Sequence, residues 1–280
     1  MIVKANAKIN LTLDITGKRE DGYHTLDTVM QSISLYDEID LTKNKDAKII
    51  LSCSRMSLPL DERNTAYRAA RLILDYGRIT DMGVNIHICK EIPSEAGLGG
   101  GSADAAAVLQ GLNELFRLEL SEEVLLQLAV KIGADVPFCL LGGTKRCMGI
   151  GEILSPLPPM PSCTILICKP PVGVKTPYAY SESDKYPQND YFWTPYLKDA
   201  LISGDIRQIA ENIGNRFDDI LHIPEVQIIK SLMLEAGALN ASMTGSGSAV
   251  FGIFSDQEKV KNAASFLKQL GLVFVVEPRT

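Results

Sequence analysis

Pro93-Ser-Glu-Ala-Gly-Leu-Gly-Gly-Gly-Ser-Ala-Asp-Ala-Ala-Ala107 is a glycine loop that runs straight into an alanine-rich helical stretch. Four of the five residues from Gly97 to Gly101 are glycine. Without a Cβ, glycine lets the backbone bend tightly and approach a ligand closely. A helix start exposes N–H groups that lack partners and carries a partial positive charge. The two features together make an anion site, and phosphate is the usual anion. The preceding segment, Val84-Asn-Ile-His-Ile-Cys-Lys-Glu-Ile92, alternates apolar and polar residues as a strand does. The order strand, glycine loop, helix reads as a cradle for nucleotide phosphate.

A plain connection needs glycine at only one or two positions, so this loop holds more than a turn requires. It is not the common P-loop, because no Lys-Ser or Lys-Thr follows the glycines. Nor is it the Gly-x-Gly-x-x-Gly dinucleotide fingerprint: counted from Gly97 and Gly99, the third glycine position is Ser102. Phosphate here would be held by backbone donors and the helix end, and any lysine must come from elsewhere. Ser102 either caps the helix or adds a hydroxyl to the phosphate site, and the two roles are compatible.

The chain has 280 residues, 46% of them hydrophobic, ample for a buried core and suggestive of one large or two ordinary domains. Its net charge is −6, and this acidic balance argues against nucleic-acid or membrane-surface binding. The six cysteines (Cys53, Cys89, Cys139, Cys147, Cys163 and Cys168) contain no Cys-x-x-Cys pair and no zinc spacing. They read as reduced thiols of a cytoplasmic protein. Met1 to Asn10 lacks the apolar core of a signal peptide, and no apolar run approaches the length of a membrane helix.

Lys8 to Ile15 alternates, with Ile9, Leu11, Leu13 and Ile15 on one face and Lys8, Asn10, Thr12 and Asp14 on the other. This predicts a half-buried strand. Two further strands are expected at 26–35 and 37–42, and another at 47–53. Asn64 is placed to cap a helix over 65–75 that Gly77 ends. Helices are expected over 102–116 and 122–132, the second capped by Ser121 and stopped by Gly133. Val136-Pro137 biases the backbone after Asp135 towards extension. The proline cluster 155–161 is the best domain boundary, dividing 1–157 from 158–280. Beyond it come a strand at 164–169, a polar, aromatic stretch from Lys175 through Trp193, and helical patterns at 195–203, 205–213 and 224–236. A second small-residue loop, Ser242-Met-Thr-Gly-Ser-Gly-Ser-Ala249, precedes a strand at 250–254, a helix at 257–270 and a strand at 273–276. Helices and strands interleave throughout, so the class is mixed α and β.

Three segments together resemble the motifs of the GHMP small-molecule kinases. They are Ala7-Lys-Ile-Asn-Leu-Thr-Leu13 with Asp21-Gly-Tyr-His24, then Pro93 to Ala107, then Met243-Thr-Gly-Ser-Gly-Ser248. With Gly133-Ala-Asp-Val-Pro137 they span nearly the whole chain. The resemblance implies an α+β, two-domain fold: a ribosomal-protein-like α/β N-terminal domain, a ferredoxin-like α+β C-terminal domain, and an active site in the cleft between them. The match is closest to the branch whose acceptor is a cytidine-diphosphate-linked methylerythritol. It implies ATP-dependent phosphorylation of the acceptor 2-hydroxyl, in non-mevalonate isoprenoid precursor synthesis. Another GHMP kinase, acting on mevalonate-type, homoserine or sugar substrates, stays open, as does a nucleotide-binding module without transfer activity.

The resemblance also implies roles for residues. Lys8 and Asp135 form the catalytic pair, Asp135 as general base and Lys8 steadying charge. ATP lies on Pro93, Ser94, Glu95, Ala96, Gly97, Leu98, Gly99, Gly100, Gly101, Ser102 and Ala103. Tyr23, His24 and Tyr180 recognise the cytosine, with Tyr178 the alternative stacking ring, and Asn10 and Thr176 make polar substrate contacts. The loop from Thr244 closes the cleft near the phosphates. Many members carry Ser-Ser where Gly100 and Gly101 stand, and one of those serines binds magnesium. No metal ligand is therefore assigned here, and Mg²⁺ is expected to be held mostly by ATP and water. Nothing in the sequence sets an oligomeric state.

Overall fold

A computed structural model describes residues 1–56, 58–187 and 191–280. Positions 188–190 of the predicted polar, aromatic stretch lie outside the described residues. The chain groups into two compact units, each assembled from separate segments. The first contains Met1–Ala7, Leu35–Ile92 and Gly99–Leu141; the second contains Lys8–Ser34, Pro93–Leu98 and Gly142–Thr280. Two long strands, β1 (Ile2–Lys18) and β2 (His24–Asn44), contribute to both.

In the first unit, the later part of β2 pairs antiparallel with β4 (Gly83–Cys89), from Glu38 opposite Cys89 to Asn44 opposite Gly83. β3 (Ile49–Cys53) runs parallel to β4 on its other edge. The helices are α1 (Thr65–Tyr76), α2 (Gly100–Leu115), α3 (Glu122–Ile132) and α4 (Val136–Leu141). Asn64 caps α1 by accepting from Ala66 N, and Ser121 caps α3 by accepting from Val124 N. These side chains satisfy helix-start donors that would otherwise lack partners. α2 buries Ala103, Ala105, Ala106, Ala107, Val108, Leu109 and Leu112, so it is covered on most sides. At Gly111 a Cβ would meet Leu41 Cδ1 at 2.3 Å, so only glycine lets this helix lie so close to β2.

The second unit holds two sheets. In one, β5 (Thr144–Gly149) pairs antiparallel with the start of β2 and with β6 (Ile153–Pro156). On the other side, β1 pairs parallel with the short β8 (Gly214–Asn215). The second sheet, built from β7 (Thr164–Lys169), β9 (Asn240–Met243), β10 (Val250–Phe254) and β11 (Leu272–Val276), has the order β11-β7-β10-β9 and is wholly antiparallel. With α9 (Pro224–Glu235) before β9 and α10 (Gln257–Leu267) between β10 and β11, this is the ferredoxin-like arrangement. Its core joins Leu166, Cys168, Met233, Val250, Phe254 and Leu267. The unit also carries α5 (Thr176–Ser183), α6 (Thr194–Ser203), α7 (Ile206–Glu211) and α8 (Arg216–Leu221). All six cysteines are free thiols.

Three expectations need correction. The strands predicted at 26–35 and 37–42 are one strand, β2. Asp37 is a poor strand former, but its buried carboxylate accepts N–H bonds from Glu91 and Ile92, which compensates for its place in the sheet. Next, β1 is not half-buried: Lys8, Asn10, Thr12 and Asp14 are as buried as Ile9, Leu11 and Leu13. Burial is tolerated because the polar side chains are partnered. Thr12 Oγ1 meets Thr194 Oγ1 at 2.7 Å, and Asp14 accepts from the N–H groups of Trp193 and Thr194. Burial raises the Asp14 carboxyl pKa despite those bonds. Lastly, Val136-Pro137 does not continue as extended chain but opens α4. Proline suits a first helical turn, where its missing N–H is not needed.

Candidate active site

The first half of the glycine loop, Pro93–Leu98, belongs to the second unit, and three remote motifs meet there on one hydroxyl. Thr244 Oγ1 accepts from Asn10 N at 2.9 Å and donates to Gly97 O at 3.2 Å. Lys8 N donates to Leu98 O at 3.0 Å, and Ala249 N to Ala96 O at 3.2 Å. Gly97 has φ +74°, and a Cβ on it would stand 1.9 Å from Thr244 O. Asn215 Nδ2 donates to Met243 O at 2.7 Å and to Gly245 O at 2.8 Å, fixing the third motif from behind. Within the loop, Pro93, Ala96 and Leu98 are buried, whereas Ser94 and Glu95 are exposed.

Lys8 is 3% exposed and Asn10 2%. Lys8 Nζ donates to Asn10 Oδ1 at 2.6 Å, and Asn10 Nδ2 donates to Thr28 Oγ1 at 2.8 Å. Thr28 in turn donates to Thr12 O at 2.5 Å. The chain of donors sets which way the Asn10 amide points and holds the ammonium of Lys8 at a defined place on β1.

The second half of the loop, Gly99–Ala103, lies in the first unit. Gly99, at φ +70°, is the cap of α2, and no side chain caps the helix. The N–H groups of the first turn are thus left for a ligand or solvent. Ser102 is not the cap; it stands inside the first turn, so its hydroxyl remains for the other expected role. Gly101 is exposed and Ala103 buried. Thr65 Oγ1 donates to Gly101 O at 2.6 Å and ties α1 to this turn. Asp135 also belongs to the first unit, half-buried in the turn between α3 and α4. Its carbonyl accepts from Cys139 N at 3.1 Å, and Val136 N donates to Gly133 O at 3.1 Å.

In the second unit, the His24 ring stacks on Tyr180, with centroids 4.8 Å apart and planes 17° from parallel. Tyr180 meets Phe217 edge-on at 5.0 Å. His24 Nε2 bonds Asp184 Oδ1 at 2.8 Å, and Lys18 Nζ bonds Asp184 Oδ2 at 2.7 Å. These hydrogen bonds, Lys18 first and His24 second, lower the pKa of Asp184. Tyr23 and Tyr178 are both exposed. Of the two candidate stacking rings, Tyr180 is therefore the one beside His24. Thr176 Oγ1 lies 3.0 Å from Ser246 Oγ, which joins the start of α5 to the third motif.

The second unit thus gathers Lys8, Asn10, Tyr23, His24, Thr176, Tyr180 and Pro93–Leu98, and the first holds Gly99–Ala103 and Asp135. Sequence reasoning missed Thr28, Asp184, Asn215 and Phe217. None stands in a recognisable pattern; the only signal for Asn215 is a lone amide ahead of a helix. The described residues contain no group of three or more His, Cys, Asp or Glu suited to a metal ion.

Fold and site together define a small-molecule kinase built on motif loops. The family model for the GHMP kinases N terminal domain matches residues 64–143, and that for the GHMP kinases C terminal matches 197–271. The chain belongs to the GHMP kinases. It is 46% identical to the 4-diphosphocytidyl-2-C-methyl-D-erythritol kinase of Caldicellulosiruptor saccharolyticus, over 99% of this chain and 94% of that one. It is 41% identical to the kinase of the same name from Clostridium acetobutylicum, over 98% and 99%. Its structure is similar to a crystal structure of 4-(cytidine 5'-diphospho)-2C-methyl-D-erythritol kinase, with TM-score 0.83, 33% identity and full coverage of both chains. Within the GHMP kinases, the chain takes its place among these. The mevalonate kinase of Methanococcus jannaschii, at 16% identity and TM-score 0.80, shares the fold.

Proposed function

We propose that this chain transfers the γ-phosphoryl group of ATP to the 2-hydroxyl of 4-diphosphocytidyl-2-C-methyl-D-erythritol, in non-mevalonate isoprenoid precursor synthesis. The observation that carries the reading is the meeting of Asn10, Gly97 and Thr244 on one hydroxyl, in a chain whose relatives of nearly equal length bear that kinase name.

In the reaction, the acceptor oxygen forms a bond to the γ-phosphorus, the bond from that phosphorus to the β-bridging oxygen breaks, and ADP leaves. Transfer of this kind needs cradled phosphates, neutralised charge and an oriented hydroxyl. The loop from Pro93 to Ala103 supplies backbone donors for the phosphates, with Ser102 adding a hydroxyl. Asp135 takes the acceptor proton as the new bond forms. Lys8, held by Asn10, steadies the charge that develops on the transferring group. Mg²⁺ travels with the nucleotide and offsets phosphate charge when bound. Tyr180 and Tyr23 offer faces to the cytosine and His24 a polar edge, while Asn10 and Thr176 contact the acceptor. The loop from Thr244 covers the phosphates. A division into 1–157 and 158–280 follows the family matches, which fall on opposite sides of it, whereas the second compact unit draws segments from both halves. The enzyme works in the cytoplasm, in keeping with six free thiols and with no helix among the described residues long and apolar enough to cross a membrane.

The reading is tested by a coupled ADP-release assay against a panel of acceptors. ADP should appear with the cytidine-linked acceptor and not with mevalonate or homoserine. Release with one of the latter alone would reassign the substrate, and ATP binding without any release would leave a bare nucleotide-binding module.

Tyr180 gives a second expectation. Base–aromatic stacking contributes about 1–3 kcal/mol per base. Tyr180→Leu should therefore raise KM for the cytidine-linked acceptor about 5- to 150-fold, with little change in KM for ATP. An unchanged acceptor KM in steady-state kinetics would remove Tyr180 from base recognition.

A further inference from the structure

In the first unit, next to the start of α2, lies a buried cluster with no part in the reaction as described above. Lys90 Nζ donates to Asp37 Oδ2 at 2.5 Å and to Asp104 Oδ2 at 2.6 Å. The three side chains are 3%, 0% and 4% exposed. Asp37 Oδ1 accepts from Glu91 N at 2.6 Å and Ile92 N at 2.8 Å. Asp104 sits in the opening turns of α2. Gly100, the first residue of that helix, lies so close that a Cβ there would come within 3.1 Å of Lys90 Nζ. One ammonium therefore ties the chain entering the glycine loop, through Asp37, to the helix leaving it, through Asp104.

One cation faces two carboxylates. With both ionised, the cluster is a buried net negative charge beside a site built for anions. Asp104 Oδ1 has no hydrogen-bond partner among the described residues. A buried charged oxygen without a donor is costly, and a proton removes that charge. Burial pushes the Asp104 carboxyl up to about 7; Lys90 pulls it down and Asp37 pushes it further up. Burial works against the Lys90 ammonium, but Asp104 and Asp37 raise its pKa overall. From the elements packed on α2, α1 brings Thr65, which donates to Gly101 O, and Arg68, which donates to Ile132 O. α4 carries no charged residue, and Glu122, Glu123 and Lys131 of α3 are exposed.

We propose that Lys90 and Asp104 are positioning residues of the nucleotide-phosphate site, and that this cluster takes up a proton when a polyphosphate binds at the start of α2. The proposal rests on the phosphate reading of the glycine loop. An arriving anion disfavours ionised Asp104, so the carboxyl holds its proton more firmly in the bound state than in the free state. Binding is then tightest below the free-state titration. It weakens as pH rises through neutrality and levels off above the bound-state titration. A displacement of about one unit corresponds to about tenfold in affinity across that window.

The test is calorimetric titration of ADP into the full-length protein, at neutral pH, in two buffers of different ionisation enthalpy. Asp104→Asn keeps the side-chain shape and is neutral at every pH. The nucleotide's own ionisation is common to both proteins and cancels in their difference. Wild type should take up a larger fraction of a proton than the variant, and the affinity of the variant should change less between pH 6 and 9. Equal uptake in the two proteins overturns the proposal, even if the variant is less stable. A wild-type protein that binds no ADP sinks the phosphate reading itself, and this inference with it. Lys90→Met would leave two carboxylates facing each other in the interior and is expected to lose its fold, so the decision rests on Asp104→Asn.

Discussion

Replacing Asp135 by Asn should lower turnover by roughly two to four decades while ATP and acceptor still bind. The reasoning starts from what the amide removes. Asn has the size and shape of Asp but cannot accept the acceptor proton as the new oxygen–phosphorus bond forms. Main-chain bonds hold the turn: Cys139 N bonds the main-chain carbonyl of residue 135, and Val136 N bonds Gly133 O. Pro137 stabilises the start of α4 through its fixed φ. The variant should therefore fold, and the loss should fall on kcat rather than on KM, the mark of an interaction made in the transition state. Single-turnover ADP formation, with nucleotide binding followed separately by calorimetry, divides the two. A purified, folded Asp135→Asn protein with full turnover would end the base assignment.

Gly97→Ala is the second change expected to have a large effect. At φ +74° any side chain is strained. Strain of this sort costs about 1–3 kcal/mol, but here it is the lesser problem. The new methyl would lie 1.9 Å from Thr244 O, with Thr244 C at 2.8 Å. Both are backbone atoms, so the clash cannot be relieved by turning a side chain. The glycine loop and the third motif must separate, and the Thr244 hydroxyl loses its bond to Gly97 O or to Asn10 N. A misplacement of about 1 Å in a positioning element can cost about 100-fold in rate. Activity should fall by at least that factor, with a lowered melting temperature and weaker ATP binding. An active Gly97→Ala enzyme with unchanged KM for ATP would show that the contact between the two loops does not shape the site.

Much of the local structure was legible because it is written in nearest-neighbour chemistry. Asn64 and Ser121 announce helices that begin where their side chains can take the first free N–H groups, and Gly133 stops α3. The second small-residue loop and β10 were likewise legible, since small residues ahead of an apolar run leave few alternatives. The interruption expected near Tyr36 failed for the opposite reason. Asp37 looks like a strand breaker until Glu91 and Ile92, more than fifty positions away, bring it their N–H groups.

The candidate site divides the same way. Gly97 to Gly101 stand out in any reading, since few other uses need so many glycines together. Periodicity put Lys8, Asn10, Thr12 and Asp14 on one face of β1, but it gave no hint that the polar face would be covered. Asp184 and Asn215 acquire roles only through partners far along the chain. Asp184 holds His24, and Asn215 braces the loop that carries Thr244.

The amino-acid order alone settled where helices start and which strand feeds the glycine loop, because those outcomes depend on residues a few positions apart. The tertiary structure alone decided that Thr244 bridges Asn10 and Gly97, that Tyr180 rather than Tyr178 lies on His24, and that Lys90 is locked between Asp37 and Asp104. Each of those depends on hydrogen-bond or stacking distances between segments that only the folded chain brings together.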